Sequence, residues 1–163
     1  ATLSRYPITR ERNIDLTIGN KKRRGCQHTT LVVEPPTGKA HVLEVFNLHL
    51  GLSAREREKQ VGLLVRSEEV RNLGENEPVL IGGDFNDWRS RLRPILVEIF
   101  GFRSATDLRR GAIRTYPSLS PRGALDRLYY RGSLSLDYAR RCRMNLSKVA
   151  SDHLPVIAGF DLR

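Results

Sequence analysis

The chain has 163 residues, 39% of them apolar, with a formal net charge of +10 and a pI near 10.3. That length supports one domain with its own core, and no run of about eighteen apolar residues exists to form a membrane-spanning helix. The surplus of arginine and lysine favours a polyanionic partner: nucleic acid, an anionic lipid surface or a phosphorylated small molecule. A merely solvated basic surface is the plainer alternative. The opening residues show no basic-then-apolar leader. Cys26 and Cys142 are the only cysteines, and two free thiols in a reducing, cytoplasmic setting are the expectation over a single disulfide.

Taken in chain order, Ile14 to Ile18 alternates apolar and polar residues as a half-buried strand does. Gly19 to Gly25 reads as a basic turn carrying Lys21, Lys22, Arg23 and Arg24. Gln27 to Glu34 and Val42 to Leu48 read as an antiparallel pair of strands, with Pro35-Pro36-Thr37-Gly38 between them. Ser53-Ala54-Arg55-Glu56 matches a capping box, so a helix is expected from there to Leu73, stopped by Gly74. Its Val61, Leu64, Val65 and Leu73 should face the core.

Pro78 to Ile81 is a short apolar strand of the central kind. Ser90 is positioned to cap a shorter helix reaching Ile99, and Phe102 to Tyr116 looks irregular. Leu125 to Tyr130, Leu134 to Tyr138 and Leu154 to Phe160 complete the strands. Strands with helices inserted between them predict a layered α/β arrangement.

The chemistry-bearing residues gather beside these strands. Asp84 follows the Pro78–Ile81 strand across Gly82-Gly83, and Asn86 stands two residues further on, on the same side of an extended chain. An Asp/Asn turn capping its own backbone is the structural alternative. His49 ends the Val42–Leu48 strand. Asp126 lies in an apolar strand and needs a partner, which Arg127 or a histidine would supply. Asp152 and His153 are adjacent at the mouth of the last strand, where a bent backbone would let both reach one pocket. Acid, amide and imidazole at strand ends suit phosphoester hydrolysis: carboxylates hold a hard cation, one acid activates water, and donors offset charge on phosphate oxygens. His28 and His41 read as structural or exposed, and Asp15, Asp107, Asp137 and Asp161 as surface or turn acids. Trp88, Tyr116, Tyr129 and Tyr130 read as core packing before base stacking.

In Asn47-Leu48-His49-Leu50-Gly51, Gly82-Gly83-Asp84-Phe85-Asn86, Leu125-Asp126-Arg127 and Ser151-Asp152-His153-Leu154-Pro155 the chain resembles the endonuclease/exonuclease/phosphatase superfamily. Arg55 and Gln60 on the intervening helix fit as well. The resemblance implies a deoxyribonuclease-I-like fold, a layered β-sandwich flanked by helices, here incomplete, with residues 1–163 forming a partial domain. It implies metal-dependent phosphodiesterase or nuclease chemistry with Mg²⁺, or Mn²⁺. Asp84 would orient and deprotonate water or sit close to the metal, and Asn86 would help hold water and phosphate. Asp152 would serve the metal, and His153, oriented by Asp126, would bond a phosphate oxygen. His49 would be a second imidazole, protonating the leaving oxygen. The early glutamate that is the family's chief metal ligand has no match in this chain, neither Glu34 nor Glu44 being suitable. Two other readings follow from that departure. One is a module that binds phosphate-rich ligands without cleaving them, and the other is self-association through uncovered sheet.

Overall fold

A computed structural model describes residues 1–34 and 38–163. Pro35, Pro36 and Thr37, expected to end the second strand, lie outside the described residues. A six-stranded sheet dominates, in the order β1 (Ile8–Asp15), β2 (Gly25–Val33), β3 (His41–His49), β4 (Val79–Asp84), β8 (Asp126–Arg131) and β5 (Arg103–Ser104). Neighbours are antiparallel except β3 and β4. The parallel pair is made possible by the crossover through α1 (Ala54–Arg66) and α2 (Glu68–Arg71). The strands β6 (Asp107–Leu108) and β7 (Gly111–Ala112) make a small hairpin. The strands β9 (Leu134–Arg141) and β10 (Val156–Leu162), joined through α3 (Asn145–Ala150), form a second sheet.

Strand alternation sends side chains to two cores. On one face Phe46, Leu48, Val79, Ile81 and Tyr129 pack with Val61, Leu64 and Val65 of α1. On the other, Leu43, Leu80, Leu128 and Tyr130 meet Leu134, Leu136, Phe160 and Leu162 of the second sheet. The result is helix on sheet on sheet, the layered α/β arrangement that the sequence predicts.

Several elements differ from expectation. The first strand runs Ile8–Asp15 rather than Ile14–Ile18, because pairing with β2 defines it. Its end comes where Thr17 N donates to Asp15 Oδ1 at 2.8 Å. The expected long helix breaks at Ser67, whose backbone is extended and whose hydroxyl donates to Leu64 O at 2.7 Å. Ser90 is no cap: it has φ +52° and accepts from Arg127 Nη2 at 2.7 Å. Asp87 Oδ2 instead accepts from Leu92 N at 2.8 Å, and only a π-helical turn forms, Ile95–Ile99. The strand β4 continues through both glycines to Asp84, and α3 was not foreshadowed by the pattern. Cys26 and Cys142 are free and buried, and burial pushes the Cys26 thiol up to about 12.

Candidate active site

Register brings the site together. In the β3–β4 ladder His49 stands opposite Asp84, and in the β4–β8 ladder Asp84 stands opposite Asp126. Directly opposed residues share a face, so imidazole and two carboxylates form one row across the sheet. His49 Nε2 lies 3.5 Å from Asp84 Oδ2. Gly83 makes the close approach of β3 and β4 feasible. Its φ is +137°, and a Cβ there would fall 2.0 Å from Leu48 O.

The segment between α3 and β10 closes the row. His153 Nδ1 donates to Asp126 Oδ2 at 2.7 Å, and the same oxygen accepts from the Thr115 hydroxyl. A histidine is therefore Asp126's partner. Arg127 points to the opposite face, where it is buried and pairs with Asp107. Asp107 is accordingly not a turn acid but the counter-charge of a buried guanidinium, shared with Arg93 at 3.4 Å. Asp152 stays exposed while its neighbour turns inward.

The two imidazoles have opposite electrostatics. For His49, burial works against the charged ring, and nearby Arg24, Lys22 and His153 add to that beyond what Asp84 restores, so its pKa is lowered. For His153, burial also opposes the charge, but the hydrogen bond to Asp126 and the charges of Asp126, Asp84 and Asp152 outweigh it, so its pKa is raised. Part of the basic turn thus acts on the site: Arg23 and Arg24 line a hollow of about 720 Å³ beside His49, with Asn13, Gln27 and Asn47.

Asn86 is buried with φ +50°; its N–H donates to Asp84 Oδ1 at 2.8 Å and its Nδ2 to Leu50 O at 3.0 Å. It therefore fixes Asp84 and the loop after β3 together. The same loop is held from α1: Gly51 N donates to Gln60 Oε1 at 2.7 Å, and Arg57 Nη1 donates to Leu52 O at 2.6 Å. Of the two helix residues that carry the resemblance, Gln60 is buried and holds this loop, while Arg55 is exposed and the buried Arg57 reaches the loop instead. Asp87, buried 3.8 Å from Arg57, was missed. Its signal was its place directly after Asn86, ahead of a polar-to-apolar change. His28 is structural, stacked on Phe46 at 4.4 Å and paired with Glu44. Tyr129 and Tyr130 are core residues, but Trp88 is 58% exposed, edge-on to Tyr116, whose ring leans on His153 at 4.9 Å. Among the described residues, no three acid, imidazole or thiol groups converge as a ready-made ion cage.

The chain is similar to known proteins in sequence and in fold. Residues 1–153 match the model of the endonuclease/exonuclease/phosphatase family. The uncharacterized protein YbhP of Escherichia coli is 36% identical over 163 residues, covering 99% of this chain and 62% of its own length. The chain thus spans about three fifths of that curated relative. A mannosyl-6-phosphatase of Bacteroides thetaiotaomicron superposes with a TM-score of 0.74 at 16% identity, covering 96% of this chain and 67% of that one. Danio rerio TDP2, complexed with a single-stranded DNA product, does so at 0.73 and 15%, covering 94% and 68%. Those structural likenesses establish the fold, and the family match extends over most of the sequence. This chain belongs to the endonuclease/exonuclease/phosphatase family.

Proposed function

We propose that residues 1–163 form the larger part of a catalytic domain that hydrolyses phosphoester bonds with a divalent cation. The observation that carries this reading is the continuous row His49–Asp84–Asp126 with His153 bonded to its far end. Family membership supports it, since the family's nucleases and phosphatases all cleave phosphoesters.

Asp84, with Oδ1 fixed by Asn86 N, would orient the attacking water through Oδ2 and take its proton. Asn86 keeps its side-chain oxygen and a second N–H for water and phosphate. His153, its Nδ1 committed to Asp126, would present Nε2–H to a phosphoryl oxygen as charge gathers in the transition state. The raised pKa of His153 and the lowered pKa of His49 separate the roles. His49, expected from the resemblance to protonate the leaving oxygen, is better suited as a neutral hydrogen-bonding ring, and His153 is the better acid.

Mg²⁺ characteristically binds through one or two carboxylates plus substrate phosphate and water. Asp84 and Asp152 are oxygen donors of that kind and would hold Mg²⁺, or Mn²⁺, here. The ion would supply neutralisation of phosphate charge. Glu44 and Glu56 are otherwise engaged, with His28 and Thr30 and with Lys21 respectively. The two free thiols support a reducing, cytoplasmic setting.

The test is turnover of a soluble diester, bis(p-nitrophenyl) phosphate, by the natural protein with Mg²⁺. Asp84→Ala and His153→Ala should each lower kcat at least about 100-fold. Substantial activity in either variant refutes the assignment. The charge of +10 favours one second reading, a non-catalytic binder of phosphate-rich ligands. It predicts salt-sensitive binding with no turnover in the unsubstituted protein.

A further inference from the structure

The helix α3 buries none of its residues, although its sequence is not polar. Leu146 is 69% exposed and Val149 is 79% exposed. They are three apart and so share one side of the helix. Met144, just before the helix, is 64% exposed, and Leu119 on the adjoining loop is 80% exposed. The loop and helix are tied together: the Ser118 hydroxyl donates to Lys148 O at 3.0 Å. Scattered exposed apolar residues need no explanation, but several together on a short element with no core contact do.

The surroundings of this patch are cationic. Lys148 lies on α3, and Arg143, directly before Met144, lines a hollow of about 640 Å³ with Arg114, Arg140 and Arg141, with no acid among the lining residues. Apolar side chains bordered by arginine and lysine are the arrangement by which a segment lies in a bilayer interface. A nucleic acid strand would account for the arginines and leave the exposed aliphatic side chains unexplained.

We propose that α3 and the Ser118–Leu119 loop dock on the surface of an anionic lipid bilayer. Leu119, Met144, Leu146 and Val149 enter the boundary between headgroups and acyl chains, and the flanking cations take anionic headgroups. Docking there sets the site against the bilayer. Only Ser151 and Asp152 separate α3 from His153, and Ser118 N donates to Asp152 O at 2.7 Å. The corollary, that the substrate is a phosphoester presented at a lipid surface, rests on the hydrolase reading. Docking itself does not.

The experiment measures cosedimentation of the natural protein with vesicles of mixed phosphatidylglycerol and phosphatidylcholine, and of phosphatidylcholine alone. Binding is expected to the mixed vesicles, weakening with added salt. The double change Leu146→Ser, Val149→Ser should weaken it at least about tenfold, and Arg140→Gln or Arg143→Gln about fivefold each. Thermal unfolding and turnover of the soluble diester should not change, because these side chains are exposed and outside the row. Absence of vesicle binding, equal binding to phosphatidylcholine alone, or indifference to the Leu146/Val149 change overturns the proposal. So does a protein dimer dissolved by that change, or oligonucleotide binding that loses affinity in the arginine variants while vesicles are not bound. Vesicle binding without diester turnover would instead sink the hydrolase reading and leave docking standing.

Discussion

Replacing Gly83 by alanine should do far more damage than replacing Gly82, its neighbour. At position 83 the backbone has φ +137°, and an added Cβ would sit 2.0 Å from Leu48 O, where ordinary contact begins at 3.4 Å. The obstacle is backbone, so β3 would have to retreat by more than an ångström. The unfavourable φ costs about 1–3 kcal/mol, and forcing the strands apart adds about 1–3 kcal/mol. For a domain of this size that corresponds to a fall in Tm of roughly 10 °C. At position 82 the added Cβ meets Leu128 Cδ1 at 3.0 Å, the end of a side chain able to turn aside. Gly82→Ala should cost less than about 1.5 kcal/mol. The displaced strand carries His49, so the 3.5 Å contact with Asp84 opens. A misplacement of that size lowers turnover about 100-fold. Urea unfolding of both variants, followed by diester turnover of whatever remains folded, gives the comparison. Equal stability of the two variants, or a fully active Gly83→Ala protein, would refute the claim that this glycine sets the spacing of the row.

Two further outcomes follow from the charges. Turnover should trace a bell in pH, rising below the ordinary histidine value of 6.5 as His49 loses its proton and falling above 6.5 as His153 loses its own. Asp126→Asn should bring the falling limb to lower pH, and a limb that does not move excludes His153 as its source. The same ion pair stabilises the fold with a definite sign. A raised histidine pKa contributes stability that is complete below 6.5 and is lost as pH rises through the folded value. On the opposite face, Asp107→Ala leaves the buried Arg127 guanidinium without its counter-ion. It should cost about 3 kcal/mol, the lower end for breaking a buried pair, because Asp107 is partly exposed. A urea midpoint unchanged from the unsubstituted protein would show that Ser90 alone satisfies Arg127.

The strands were legible where one face had to be apolar. Val79, Leu80 and Ile81 read as a central strand and are one, since both faces of β4 meet a core. Where the ladder rather than burial defines the element, the pattern misled. The strand β1 is almost wholly exposed, so alternation pointed to Ile14–Ile18 and missed the pairing that begins at Ile8. Helix ends failed for a related reason. Ser67 and Asp87 decide them through single hydrogen bonds to Leu64 O and from Leu92 N, and neither bond leaves a periodic trace. The helix α3 was invisible because it has no buried face to write into the sequence.

The residues proposed to carry chemistry were legible for the opposite reason: each stands where acid or imidazole begins, ends or directly precedes an apolar strand, at His49, Asp84, Asp126 and Asp152-His153. Their supports were not. Arg57 and Gln60 act on the Leu50–Leu52 backbone from the helix that follows it, through hydrogen bonds that leave no periodic trace, and only the fold brings Asn86, 36 residues on, to the same loop. Arg127 shows the limit most plainly. Adjacent to Asp126, it was an equal candidate for that acid's partner, yet strand alternation turns it to the other face. The alternation that separates Asp126 from Arg127 is what leaves Asp126 free for His153. A strand that slipped by one residue would exchange the two and bury a guanidinium in the row. The ion pair of Arg127 with Asp107 opposes that slip, so it is part of what keeps the site's register although it never faces the site.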